Sequence, residues 1–215
     1  MSEKSAIFLY TDFSTHLKNL NFTRLNIEKV FSQNKISKRD AEQVYKGLFL
    51  DAVSSFEMFL ENIFLGLLIK RYKINKNKVV PKIQFKKINV ARKIVIPGSY
   101  FNWLPYGNTS KIAKNFFRKG RPFCLIVDDP RFSSDDFNSK LEKIHATRNA
   151  IAHKSKHAQK QFKIKVLDNT ISLPPEERKV AAYLRGVYRS SPSHTRYEKF
   201  IIDMATIVKV LCENI

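Results

Sequence analysis

The feature that most constrains the fold is a long apolar repeat at helical spacing between about Ser37 and Lys70. Apolar side chains recur there at steps of three and four residues, which places them on one face of a helix. The repeat consists of Ala41, Tyr45, Leu48, Ala52, Phe56, Phe59, Ile63 and Leu67. Ser37 and Asp40 stand three residues apart, an arrangement typical of a helix N-terminus. The sequence therefore predicts a long, well-buried helix.

Other segments show the same helical periodicity. Residues 7–31 are consistent with one or two helices, and residues 134–157 predict a second strong helix. A turn is expected at residues 167–170, a short helix after Pro174, and a final helix from Thr195, where Glu198 completes a capping box. Amphipathic helices bury their apolar faces by packing antiparallel. We therefore predict an all-α fold, a four- or five-helix bundle, in a single domain of residues 1–215.

Residues 75–129, between the second and third long helices, break the helical pattern. Apolar residues alternate there in part with Lys and Gln. Turn-forming residues interrupt the segment at Pro81, Pro97, Gly98, Pro105 and Gly107. One short helix is predicted after Asn108. We therefore predict a basic insertion within the domain that is partly irregular or contains β-structure.

The charge of the chain is strongly positive and unevenly distributed. Lys and Arg number 39 against 19 Asp and Glu, which gives a net charge of +20 and favours a polyanionic partner such as RNA, DNA or an acidic membrane. Between Glu61 and Asp128 there are fifteen Lys and Arg, interleaved aromatic residues and no acidic residue. Cations neutralise phosphates and aromatic rings stack on unpaired bases, the combination that single-stranded nucleic acid requires. The predicted RNA contacts are Lys86, Lys87, Lys114 and Arg118. The alternative is a merely solvated basic surface.

Several classes of protein are disfavoured. Cys124 and Cys212 are the only cysteines, and the chain has no CxxC pattern and no Cys/His cluster, which argues against structural zinc and against a disulfide scaffold. The most apolar run, residues 56–69, is too short to span a bilayer and contains Glu57 and Glu61. The N-terminus has no cationic stretch followed by a long apolar one. We therefore expect a soluble cytoplasmic protein with no metal, no cofactor and no membrane partner.

The helix predicted over residues 134–157 carries a candidate site. Its apolar stripe consists of Phe137, Leu141, Ile144 and Ile151. At about 100° per residue this stripe runs through Arg148, whose guanidinium would need partners if it were buried. Asn149 and His153 share the adjacent shoulder of the helix with His145. The alternative is an Arg148 paired to a carboxylate, with His153 a surface residue, and helical spacing alone leaves both interpretations open.

The segment Arg148-Asn149-Ala150-Ile151-Ala152-His153 resembles the Arg-x4-His motif of the HEPN superfamily, in the form with Asn directly after the Arg. The helix that contains residues 51–57 resembles the preceding helix of such proteins. The resemblance covers roughly residues 35–72 and 134–213 and leaves the insertion unexplained. It implies an HEPN-like helical bundle and a homodimer in which two motif helices face each other across a cleft.

The activity that the resemblance implies is metal-independent cleavage of RNA. The ribose 2′-hydroxyl attacks the adjacent phosphorus, with His153 as general base or acid. Arg148 would hold the non-bridging phosphate oxygens, and Asn149 would orient the phosphate or the His153 ring. The products are a 2′,3′-cyclic phosphate and a 5′-hydroxyl. Glu57 is a possible supporting residue that would pair with Arg148, the alternative being a structural or solvated Glu.

The resemblance also has limits. His145 and His157 are expected to face solvent. One subtype, the toxins silenced by a partner nucleotidyltransferase, carries a Tyr two residues after the motif His, where this chain has Ser155. The expected role is a toxin or anti-phage defence effector with a possible antitoxin or regulatory subunit. The alternatives are a non-catalytic HEPN-like protein that binds RNA or DNA, and a helical interaction subunit of a toxin–antitoxin or defence complex.

Overall fold

The structure, a computed structural model, describes residues 4–74, 79–98, 100–128, 136–167, 173–190 and 192–213. Its α-helices are α1 (Ile7–Ser32), α2 (Lys38–Leu68), α3 (Ile88–Val95), α4 (Tyr106–Phe116), α5 (Leu125–Asp128), α6 (Phe137–Ala152), α7 (Lys156–Lys165), α8 (Val180–Arg185) and α9 (Arg196–Glu213). Two 3-10 helices span Arg118–Gly120 and Pro175–Arg178. The fold is all-α, as the sequence predicts.

The short strands form two small pairs. Strand β1 (Lys4–Ser5) pairs in parallel with β2 (Tyr72–Lys73), and β3 (Val187–Ser190) pairs antiparallel with β4 (Ser193–Thr195). The turn predicted at residues 167–170 lies mostly outside the described residues, as do residues 134 and 135 of the predicted second strong helix. No helix in the described part of the chain combines the length and the apolar character needed to cross a membrane.

Both predicted capping boxes are confirmed. The amide of Asp40 donates to the Ser37 hydroxyl at 3.2 Å, and the Ser37 amide donates back to the Asp40 carboxylate at 3.1 Å. At the start of α9 the Glu198 amide donates to the Thr195 hydroxyl at 3.2 Å, and the Thr195 amide donates to the Glu198 carboxylate at 2.7 Å. Each box satisfies backbone groups that a helix end would otherwise leave unpaired, which is why α2 and α9 begin where they do.

The chain divides into two compact units. Unit 1 comprises Met1–Phe13, Phe56–Leu141 and Ala205–Ile215, and unit 2 comprises Ser14–Ser55 and Glu142–Met204. Helices α1, α2, α6 and α9 contribute residues to both units. The described part of the 75–129 insertion belongs to unit 1, and the Arg-x4-His segment belongs to unit 2.

Unit 1 has an aromatic core centred on Phe64 of α2. The ring of Phe64 lies 5.0 Å from the rings of Phe117 and Phe123 and 5.3 Å from that of Trp103, measured between centroids. These three partners come from the insertion, which supplies α3, α4 and α5 and is more helical than its sequence indicates. Burial of large aromatic side chains is a dominant favourable contribution to folding. Because the insertion supplies three such rings, it is an integral part of this core.

Unit 2 combines aromatic packing with a buried ion pair. Tyr45 and Tyr197 pack edge to face at 5.8 Å, and Phe49 packs on Phe200 at 5.2 Å. Arg24 of α1 donates to the Glu198 carboxylate at 2.8 Å, and only 7% of its side chain is exposed. A charge buried to this degree needs a partner, and Glu198 supplies it while also capping α9.

Candidate active site

The Arg-x4-His segment occupies the C-terminal end of α6. Phe137, Leu141 and Ile144 are buried, as predicted for the first half of the helix. In the second half the buried positions are Ala146, Thr147 and Ala150, whereas Arg148 and Ile151 are only half-buried. The prediction that one buried stripe runs through Arg148 is therefore wrong. The buried face of α6 changes along its length, from the large apolar side chains of its first half to the small side chains of its second half.

Helix α6 ends at Ala152, before the predicted end at residue 157. The His153 amide still donates to the Asn149 carbonyl at 2.8 Å, so His153 follows directly on the last helical turn. Ser155 then caps a new helix, α7, with its hydroxyl accepting from the Ala158 amide at 3.2 Å. The Gln159 side-chain amide donates to the Ala150 carbonyl at 2.8 Å and satisfies one of the last carbonyls of α6. These local hydrogen bonds divide the predicted single helix into two.

Three neighbouring side chains on α6 form a hydrogen-bonded row. The Arg148 guanidinium donates to the Asn149 amide oxygen at 3.1 Å, and the Asn149 amide nitrogen lies 3.0 Å from Nε2 of His145. His145 is half-buried, so the expectation that it faces solvent is wrong. Burial, followed by the positive charges of Arg148 and Lys165, lowers the pKa of His145 below its usual value.

A pocket of about 280 Å³ lies beside this row. Its polar lining includes His145, Asn149, His153, Ser155, His157 and Lys165. No carboxylate lines it among the described residues, although Lys165 also pairs with Glu142 at 3.2 Å. Both side chains of that pair are more than a third exposed, so the pair is weak and Lys165 remains available to an anion. The pocket can therefore accept a negatively charged group.

The structure brings the predicted site residues together only in part. Asn149 and His153 line the same pocket, and Arg148 contacts Asn149 without lining the pocket itself. The side chain of His153 is exposed, and so is that of His157, as expected. Within the described residues, Asn149 is the hydrogen-bond partner of Arg148. Glu57 is half-buried in the α2 portion of unit 1 and has contacts of its own.

The predicted RNA contacts lie in unit 1. Lys86, Lys87, Lys114 and Arg118 are all exposed. Lys114 pairs with Asp128 at 3.3 Å, and both side chains of that pair are more than half exposed. Half of the eight aromatic residues proposed to stack on bases are core: Phe85, Trp103, Tyr106 and Phe117 are buried. Tyr100 is exposed, and Tyr72, Phe101 and Phe116 are half-buried. The structure thus leaves the cations accessible and removes half of the rings that would have stacked.

Sequence reasoning missed the contribution of α7. Gln161 and Lys165 of α7 line the pocket together with Asn149 and His153. Both residues follow residue 157, where the predicted helix ends, so that prediction does not place them near the site. Ser155 was the available signal, because a Ser before a helical segment is a preferred N-cap. No group of three His, Cys, Asp or Glu side chains in the described chain is placed to hold a metal ion.

The six-residue Arg-x4-His segment spans the last turn of α6 and the residue that follows it. Comparison with known proteins yields no family model, no curated protein and no solved structure that matches the chain.

Proposed function

We propose that the chain is an endoribonuclease of the HEPN type that acts through Arg148, Asn149 and His153. The observation that carries the proposal is the pocket of about 280 Å³ at the end of α6, which Asn149 and His153 line together. Arg148 does not line the pocket, but it is hydrogen-bonded to Asn149, which does. An amide and an imidazole in the lining, with a guanidinium bound to that amide, are groups that phosphodiester cleavage can use.

The proposed reaction is an internal transfer at phosphorus. The 2′-oxygen of the ribose forms a bond to the adjacent phosphorus while the bond from phosphorus to the 5′-oxygen breaks. The 2′-hydroxyl proton leaves to a base, and the 5′-oxygen receives a proton from an acid. The exposed imidazole of His153 can serve in either step. The products are a 2′,3′-cyclic phosphate and a 5′-hydroxyl.

Arg148 is proposed to stabilise the charge that develops on the non-bridging oxygens. A guanidinium has five N–H donors, and the contact with Asn149 uses one nitrogen, Nη1. The remaining donors suit the paired oxygens of a phosphate. The first turn of α7 supports anion binding at the same pocket, because His157 and Ala158 line it and a helix N-terminus favours negative charge.

The proposed active form is a homodimer. The face of α6 that carries Arg148, Ile151 and Ala152 is half-buried or exposed in the single chain. Two copies of this face would place two Arg148 side chains beside one anionic substrate, whose negative charge would offset both. A toxin or defence effector silenced by an antitoxin or regulatory subunit is the proposed context, and RNA the proposed partner.

A second candidate is a non-catalytic protein that binds RNA or DNA. The exposed cations Lys86, Lys87 and Arg118 of unit 1 favour it, because they suit phosphate contacts whether or not cleavage follows. Binding without cleavage by the wild-type protein would select this candidate.

The test is RNA cleavage in EDTA by the wild type, Arg148→Ala and His153→Ala. Each substitution should lower the cleavage rate by roughly 10²–10⁴ while RNA binding persists, since acid–base and charge-stabilising groups contribute this much. His16→Ala is the control, because His16 is a half-buried histidine of unit 2 that pairs with Asp51 and is absent from the pocket lining. Full activity in either site variant would overturn the assignment.

A further inference from the structure

Asn149 is held between two side chains of α6. Its amide oxygen accepts a hydrogen bond from Arg148 at 3.1 Å, and its amide nitrogen lies 3.0 Å from Nε2 of His145, one helical turn earlier. His145 is not part of the Arg-x4-His segment, yet it is the second partner of a residue inside that segment. It also lines the pocket with Asn149.

The chemistry of the three groups fixes the proton positions. A guanidinium only donates hydrogen bonds, so the amide atom that faces Arg148 must be the oxygen. The amide nitrogen of Asn149 therefore faces His145 and donates to it. Nε2 of His145 must then accept, which requires a neutral ring with its proton on Nδ1. A protonated ring carries a hydrogen on both nitrogens, so its Nε2–H would face the N–H group of Asn149 and no hydrogen bond could form.

The surroundings of His145 favour the neutral ring. The ring is half-buried, and Arg148 on its own helix and Lys165 on α7 are the cations that lower its pKa further. Glu142 opposes these cations but interacts more weakly with the ring than they do. The other titratable groups of the pocket, His153 and His157, add no negative charge. Burial and neighbouring cations both disfavour a second positive charge on the ring.

We propose that His145 is a positioning residue whose neutral ring holds Asn149, and through it Arg148, in the arrangement used for RNA cleavage. Protonation of His145 releases Asn149 and disorganises the row. His145 itself transfers no proton in the reaction, because its accepting nitrogen is occupied by Asn149. The effect on RNA cleavage rests on the proposed function, whereas the position of the proton on the His145 ring can be measured without RNA.

The direction of the pH effect follows from the lowered pKa of His145. At neutral pH the ring is neutral and the contact is complete, and it is lost as the pH falls through the lowered pKa. Between that value and the ordinary pKa of about 6.5, the unfolded chain binds more protons than the folded one. The folded state is therefore stabilised less as the pH falls through this window.

Nitrogen-15 NMR on the full chain tests the proton position without any assay of activity. Long-range spectra of the imidazole rings should show His145 at pH 7.5 with its proton on Nδ1 and a free Nε2. As the pH is lowered until the His145 ring becomes protonated, the side-chain amide signals of Asn149 should move with the same midpoint as the ring. A proton on Nε2 at pH 7.5, or amide signals that ignore the His145 titration, would overturn the proposal.

Two substitutions test the link to cleavage. His145→Gln places Oε1 as many bonds from the backbone as Nε2, so it can accept from Asn149 but cannot titrate over this range. His145→Ala removes the acceptor and should lower kcat on the order of tenfold, the size of one lost hydrogen bond, with KM little changed. His145→Gln should have a kcat close to that of the wild type, and its plot of kcat against pH should lack one inflection on the acidic side. His16→Gln, in the same unit, should leave the profile unaltered.

The outcomes separate the two proposals. Equal losses in His145→Ala and His145→Gln, or an unchanged acidic limb in His145→Gln, would overturn the positioning role. If the wild type cleaves no RNA, the proposed function fails, and the NMR measurement still decides whether neutral His145 holds Asn149.

Discussion

The two units of the chain contain ion pairs that differ in how deeply they are buried. In unit 1, cations such as Lys86 and Arg118 are exposed, and the ion pair of Lys114 with Asp128 is more than half exposed on both sides. In unit 2, only 7% of the Arg24 side chain is exposed beside Glu198, and the partly buried Arg185 makes two hydrogen bonds of 2.8 and 2.9 Å to Glu28. An exposed cation keeps its hydration and can contact a mobile polyanion, whereas a buried or partly buried pair is held in one geometry. We propose accordingly that unit 1 supplies affinity for RNA and unit 2 supplies chemistry.

The largest expected effect concerns the α6 face of unit 2. Ile151→Glu should convert the proposed dimer to a monomer and lower cleavage at least 10²-fold, because a carboxylate there would be buried beside its symmetry copy and would repel the RNA. Light scattering at micromolar concentration gives the oligomeric state. Ile164→Glu makes the same change at an exposed isoleucine of unit 2 and should stay dimeric and active. An active wild-type monomer would refute the dimer.

The second prediction compares how much a buried ion pair and an exposed ion pair contribute to the free energy of unfolding. Arg24→Ala should lower the free energy of unfolding by about 3–5 kcal/mol, because it leaves the Glu198 carboxylate without its buried partner. Lys114→Ala breaks the exposed pair with Asp128 and should cost less than about 1 kcal/mol. Urea denaturation of both variants measures the difference. Similar costs for the two substitutions would break the comparison between the units.

The smallest effect concerns RNA affinity in unit 1. Each phosphate contact with a single strand changes the slope of log affinity against log salt by about 0.7, so five contacts give a slope near −3.5. Replacing Lys86 and Lys87 together by Gln should flatten the slope by about 1.4 and leave the rate at saturating RNA unchanged. The same double change at Lys29 and Lys35, exposed lysines of unit 2, is the control. An unaltered slope in the Lys86/Lys87 variant would mean that these charges are merely solvated.

Local sequence patterns predicted the helices of this fold well. The boxes Ser37/Asp40 and Thr195/Glu198 lie within one helical turn, so their residue types alone determine the contacts. The end of α6 was placed too late, since Lys and His after Ala152 are compatible with a helix. The cap at Ser155 and the bond from Gln159 decide that boundary.

Burial was harder to predict than secondary structure. On sequence alone, Trp103 and Phe117 are candidates either for stacking on bases or for the core. Their contacts with Phe64 join residues about forty to fifty positions apart, a separation that no local pattern reports. The row from Arg148 through Asn149 to His145 lies within one turn of α6, yet the loss of solvent around His145 depends also on α7. The single domain and the catalytic roles stay predictions.

The most direct test of the central claim is cleavage of an RNA oligonucleotide that carries one 2′-deoxyribose at the mapped cleavage position. The proposed reaction predicts that the all-ribose strand gives a 2′,3′-cyclic phosphate and a 5′-hydroxyl, as mass spectrometry of the products would show. It predicts that the deoxy strand binds with similar affinity and stays intact at that position, because it lacks the attacking oxygen. Cleavage at the deoxy position, or products that end in a 5′-phosphate, would contradict the account.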